Sequence, residues 1–146
     1  MPRLFRIEEA ERLLPDVRTA IEAAIRLKKE FDSARLDLAR EMNRIGMLGG
    51  AMVDRGAIQG LRTGAEAKAA EVNSAIEAIQ EFGCLVKDLD IGLIDFPTRF
   101  RGREVYLCWK LGEEGIAWWH GTDEGFAGRK AIDEDFRKNH EGDRVF

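Results

Sequence analysis

Between Ile7 and Ile45 the apolar residues Ala10, Leu14, Val17, Ile21, Ala24, Phe31, Leu38, Met42 and Ile45 return at the three- and four-residue steps that line one side of an α-helix. At roughly 1.5 Å per residue such a helix runs on the order of 50 Å, longer than a 146-residue globule is wide. Part of it has to project, or to lie against another long helix. Lys28 and Arg35 fill stripe positions and leave the seam incomplete. Pro15 removes a backbone donor, which predicts a first turn over 7–14 and a kink or restart at the proline.

Gly46, Gly49, Gly50, Gly56, Gly60 and Gly64 follow, a composition that disfavours helix and reads as a hairpin connection over 46–62. Thr63-Gly-Ala-Glu66 has capping-box spacing and is expected to start the second helix. That helix carries Ala65, Val72, Ala75, Ile76, Ile79 and Phe82 on one side and stops at Gly83. The result is an antiparallel helical hairpin over 7–83, of coiled-coil type, in which small alanines permit close approach.

After Gly83 the period falls to two. Leu93–Phe100, Arg103–Leu111 and Ile116–His120 read as antiparallel strands joined by Arg101-Gly102 and by Gly112-Glu-Glu-Gly115. If both turns are tight, Phe96 faces Leu107 and His120, while Ile94 faces Trp109 and Trp118, all on an apolar surface that covers the hairpin. The opposite surface then carries Asp95 beside Cys108 and Trp119, Pro97 beside Tyr106, and Arg99 beside Glu104. Exposed aromatics among paired charges suit a ligand or partner face. The candidate residues of that face are Asp95, Arg99, Tyr106, Cys108, Trp119 and, from the following loop, Arg129. A one-residue slip would exchange the two surfaces.

The chain has 23 basic and 27 acidic residues and a net charge of -4, with no strongly basic segment, which argues against a nucleic-acid partner. Trp109, Trp118 and Trp119 lack the basic groove of a base-stacking platform, and only Trp119 is expected to face outward. No apolar run reaches membrane-span length, and the start of the chain lacks the apolar core of a signal peptide. The two cysteines, without C-x-x-C spacing, fit a reducing cytoplasm.

Metal binding, anion binding and thiol chemistry each compete with plain packing roles. Asp88, Asp90 and Asp95 precede or enter the first long strand while His120, Asp123 and Glu124 leave the last, so a meander can bring them to one end, with Asp90, Asp95, His120 and Asp123 as the candidate ligands for Zn, Mn or Mg. Against this, His120 falls on the expected apolar face and Asp90 suits a turn. Gly125-Phe-Ala-Gly-Arg129-Lys130 has the composition of an anion cradle, or of a turn in which Phe126 plugs the core edge and Arg129 pairs with Asp123 or a helix carboxylate. Cys108 has a carboxylate rather than a base as its expected neighbour, which raises a thiol pKa and leaves Cys108, like Cys84, a packing residue.

Phe5-Arg-Ile-Glu-Glu-Ala with Leu13-Leu-Pro, Leu89-Asp-Ile-Gly-Leu-Ile-Asp-Phe-Pro, Val105-Tyr-Leu-Cys-Trp-Lys-Leu-Gly, Trp119-His and Gly125-Phe-Ala-Gly-Arg resemble family 2203 of the bacterial domains of unknown function. The resemblance covers nearly the whole chain and implies a bacterial cytoplasmic origin, but no reaction, cofactor or catalytic residue. Together these readings predict an α+β fold: one domain over 1–132, made of a long kinked helical hairpin and a three- to four-stranded meander over 84–132. Residues 133–146 read as a polar tail, frayed or folded into a short peripheral helix. The expected function is a non-enzymatic homodimeric interaction or scaffold protein, with a further protein as an open partner. The alternative is a small-molecule or metal-binding enzyme around Asp90, Asp95, His120, Asp123 and Arg129. No cofactor is expected, a divalent metal being the one open option.

Overall fold

The computed structural model describes residues 3–47, 49 and 54–144. Helix α1 spans Ile7–Met47 and α2 spans Arg55–Gln80, packed against each other. The strands are β1 Leu85–Asp88, β2 Leu93–Phe100, β3 Arg103–Lys110, β4 Trp118–Gly121, β5 Lys130–Ala131 and β6 His140–Glu141, with α3, Glu134–Asn139, before the last. All pairings are antiparallel, in the order β1-β2-β3-β4-β5, and β6 adds to β2 at Arg99 and Phe100, past the end of β1. The fold is α+β, a helical hairpin with a sheet packed on it.

Helix α1 runs through Pro15 without the expected restart. A helix-interior proline costs about 3 kcal/mol. Leu14, Val17 and Ile21 beside it are buried against the sheet, each worth roughly 1.5–3 kcal/mol, so burial on both sides of the proline outweighs the break. Pro15 itself lies on the exposed side, where its carbonyl accepts from Thr19 Oγ1 at 3.2 Å.

Helix α2 begins eight residues before Thr63. Asp54 is its N-cap, accepting from the Ala57 N–H at 3.0 Å, and Gly56, Gly60 and Gly64 lie inside the helix. Each interior glycine costs about 1 kcal/mol, offset by Ile58, Leu61 and Ala65, which shelter part of their surface along α1. Of the connection expected over 46–62, residues 48 and 50–53 lie outside the described residues. At the other end Gly83, with φ +103°, follows the last turn as expected.

The two-residue turn Arg101-Gly102 has positive φ at both positions, 54° and 76°, the hairpin geometry that matches strand twist. It fixes the β2–β3 register as expected, with Ile94 opposite Trp109, Asp95 opposite Cys108 and Phe96 opposite Leu107. The next connection is not tight. Glu113 Oε1 accepts from the Lys110 N–H at 2.7 Å and the Glu113 carbonyl accepts from the Trp109 indole N–H at 2.9 Å, and the loop extends over 111–117. Strand β4 therefore pairs one residue out of the expected register, with Tyr106 opposite His120, Leu107 opposite Trp119 and Cys108 opposite Trp118.

The core lies between α1 and the face of the sheet that carries Ile94, Phe96, Phe100, Leu107 and Trp109; Phe5, Ile7, Ala10, Leu14, Val17, Ile21 and Ala24 oppose it. Residues 133–144 include the short helix that is one of the two expectations for this segment, but it closes the core rather than lying at the periphery. Asp133 caps α3, accepting from the Phe136 N–H at 2.8 Å, and Phe136 of α3 and His140 of β6 are both buried. His140 Nδ1 donates to the Phe136 carbonyl, so its Nε2 is free to accept the Ile7 N–H at 3.0 Å and closes the start of α1.

Candidate functional site

The register shift of β4 decides what the second face of the sheet contains. Trp119 turns to the core side, where it packs on Phe100 and Phe136, and His120 crosses over to join Asp95 and Cys108. Asp95, Cys108 and His120, one from each of three neighbouring strands, are 1%, 0% and 2% exposed. One ligand atom from each lies within 4.8 Å of the others. The strands hold these Cα positions through backbone ladders, and strand-mounted side chains are better fixed than loop-mounted ones.

The hydrogen bonds settle the histidine tautomer. His120 Nδ1 lies 2.8 Å from the Gly121 carbonyl, which can only accept, so Nδ1 carries a proton. Nε2 faces the Asp95 carboxyl, 3.1 Å from Oδ1 and 3.0 Å from Oδ2. Only the Oδ1 contact has hydrogen-bond geometry, and Oδ2 is buried without a partner. Burial lifts the Asp95 carboxyl above the ordinary aspartate range, against the opposing pull of His120. Burial, then the Asp95 charge, push the Cys108 thiol up to about 12, and Arg129 only partly opposes them. Cys108 is thus a protonated thiol and not a poised nucleophile. Burial likewise pushes Cys84 to about 11, its Sγ donating to the Ile79 carbonyl.

A collar of longer side chains surrounds the three. The Tyr106 ring meets His120 edge-on at 5.6 Å, and Lys87 Nζ stands 4.7 Å from the Tyr106 ring centre. Arg129 lies against the Trp118 and Phe126 rings and donates from Nη2 to the Cys108 carbonyl at 3.2 Å, while its Nε is buried without a partner. Glu113 grips the rest of the guanidinium with both oxygens, at 2.6 and 3.0 Å.

The candidate residues are therefore distributed differently from expectation. Asp95 and Cys108 share a face but are buried, Tyr106 borders them, and Arg129 covers them. Trp119 lies on the other face and Arg99 at the exposed far end of β2, so the six do not form one exposed partner surface. Of the four proposed metal ligands, Asp95 and His120 meet. Asp90 is exposed in the β1–β2 turn and paired with Lys28, and neither it nor Asp123 belongs to the cluster. The glycine loop offers no free anion cradle: Arg129 is taken by Glu113 and Lys130 by Glu124. Cys108, expected to be a packing residue, is the third member of the buried cluster. Its alternation with Asp95 was readable, and only the β4 register concealed its third neighbour.

The Glu113–Arg129 clamp has a pH signature. Burial alone lifts the Glu113 carboxyl, but Arg129's hydrogen bonds and charge, with the Lys110 N–H, outweigh it and hold the group below the usual range. A depressed carboxylate stabilises the fold above its unfolded value, about 4.3 for glutamate, and that contribution is lost as pH falls through the folded value. Wild type is expected to exceed Glu113→Gln by about 1 kcal/mol in urea unfolding at neutral pH. The difference should shrink once the pH drops below about 4.3; a difference constant with pH would show that the charge of Glu113 is not what matters.

No curated protein and no solved structure matches the chain. A family model described as an uncharacterised conserved protein, domain of unknown function 2203, matches residues 3–132, from the segment that leads into α1 through the end of the Arg129 loop. That span takes in both helices and β1 to β5 together with all three clustered residues, and the chain belongs to this family.

Proposed function

We propose that the protein is a non-enzymatic assembly module that pairs with a second copy of itself through the outer half of its helical hairpin. The observation that carries this is the distribution of burial along the hairpin. In α1 no residue after Ala24 is buried, and in α2 none before Ala65. Leu27, Phe31, Ala34, Leu38 and Ile45 of α1 and Ile58 and Leu61 of α2 are only half covered, and Leu36 and Met42 are exposed. Two helices alone bury too little to be secure, since helical stability comes mostly from tertiary packing. A second hairpin would complete a four-helix arrangement.

Charge favours a like partner. Residues 28–71 carry eight basic and seven acidic groups, interspersed, so two such arms meet without net repulsion, whereas the rest of the chain is distinctly acidic. Support for the non-enzymatic part comes from the buried cluster, where the thiol is protonated and His120 Nε2 is occupied by Asp95. The alternative of a small-molecule enzyme with His120 as general base needs that nitrogen to reach a substrate. The reading includes a reducing, cytoplasmic setting, supported by two buried free thiols, and no nucleic-acid or membrane partner. Among the described residues no helix is long and apolar enough to cross a membrane.

Light scattering on the purified chain tests the pairing. A dimer mass is expected, falling to the monomer in Leu36→Glu, Met42→Glu with the circular dichroism of the sheet and α1 start unchanged. A monomeric wild type, or a dimer indifferent to these substitutions, overturns the reading.

A further inference from the structure

We propose that Asp95, Cys108 and His120 form a binding site for one divalent transition metal, with Zn2+ as the occupant their chemistry fits best. The donors are one oxygen, one sulfur and one imidazole nitrogen. Thiolate disfavours Mg2+ and Ca2+, which take oxygen, and the mixed set suits a borderline-soft ion. Tetrahedral coordination at roughly 2.0–2.3 Å sets ligand atoms on the order of 3.5 Å apart, within the 4.8 Å spacing already present, so side-chain adjustments alone close it.

Three further observations point to a ligand. His120 is held in the tautomer a metal needs: Nδ1–H is anchored on the Gly121 carbonyl, and Nε2 aims at the cluster. Such an outer anchor accompanies most metal-bound histidines. Asp95 Oδ2, in a side chain 1% exposed, lies 3.0 Å from His120 Nε2 but accepts no hydrogen bond of good geometry, which leaves a buried lone pair open to a cation. The charges close as well, since a dication is neutralised by one carboxylate and one thiolate while the imidazole stays neutral. On binding, the Cys108 proton and the proton between Asp95 and His120 leave to solvent. Arg129, fixed by Glu113 and bonded to the Cys108 carbonyl, stands where it favours a thiolate. Three protein ligands leave a fourth position for one water.

The site lies in the sheet, away from the projecting arm, and stands or falls independently of dimerisation. The test is Co2+ titration of the full chain, followed by Zn2+ competition. Wild type should take up one Co2+ with a thiolate-to-cobalt charge-transfer band and intense tetrahedral visible bands, both removed by one equivalent of Zn2+. The chain has two cysteines. Cys84→Ser should keep the band, which assigns it to Cys108 without altering the site. Asp95→Asn should weaken Zn2+ binding by more than the roughly 10- to 100-fold lost with an outer partner, while Asp90→Asn and Asp123→Asn leave it unchanged. Folded wild type that binds no Co2+, a band lost in Cys84→Ser, or equal weakening by Asp90→Asn overturns the proposal.

Discussion

Phe136→Ala should destabilise the protein by about 3–5 kcal/mol, the range for emptying a phenylalanine site in a core. Phe136 belongs to the short, polar α3 and is 1% exposed. Its ring lies 4.6 Å from Phe100, 5.0 Å from Trp119 and 5.3 Å from His140, centre to centre, and is the hub of that cluster. Losing it removes the wall on which Trp119 stacks and frees His140, whose Nε2 satisfies the buried Ile7 N–H. Urea unfolding of Phe136→Ala beside Lys138→Ala, an exposed change on the same helix expected to cost less than about 0.5 kcal/mol, measures the difference. A loss below about 1 kcal/mol for Phe136→Ala would show that α3 rests on the surface without closing the core.

The last segment was hard to read for a physical reason. A six-residue helix with one apolar side chain has no periodicity to detect, and its residues are mostly charged. The signal that existed was local: Asp133 as a cap with Glu134 and Asp135 in the first turn and Arg137 and Lys138 in the last, an order that suits the helix dipole. The long helices were legible because their stripe repeats over many turns. Their edges were not, since Thr63 and Asp54 both suit a cap and only contact with α1 favours the earlier one.

The site shows how one turn controls a chemical conclusion. Arg101-Gly102 permits a single tight hairpin, so the pairing of Asp95 with Cys108 followed from sequence. Gly112-Glu-Glu-Gly115 has the composition of an equally tight turn, but Glu113 folds back on Lys110 and Trp109 and lengthens the loop. One residue of slip moves Trp119 inward and brings His120 beside Asp95. Because side chains alternate along a strand, the slip changes an exposed aromatic face into a buried group of three metal-competent residues.

Trp109→Ala should cost about 4 kcal/mol, and Trp109→Phe about 1–2 kcal/mol. Trp109 is completely buried opposite Ile94, and its indole N–H bonds the Glu113 carbonyl. Alanine leaves a cavity between the sheet and α1, whereas phenylalanine keeps most of the packing and removes only the hydrogen bond. The milder change should nevertheless reach the second face. Glu113, no longer anchored by its carbonyl, holds Arg129 less firmly over Cys108. In a Cys84→Ser background, Trp109→Phe should therefore speed the reaction of Cys108 with a thiol reagent more than an equally destabilising change in α1, such as Val17→Ala, does. Equal rates at matched stability would mean that Cys108 is exposed only by global unfolding, and that the Trp109–Glu113–Arg129 chain plays no part in covering it.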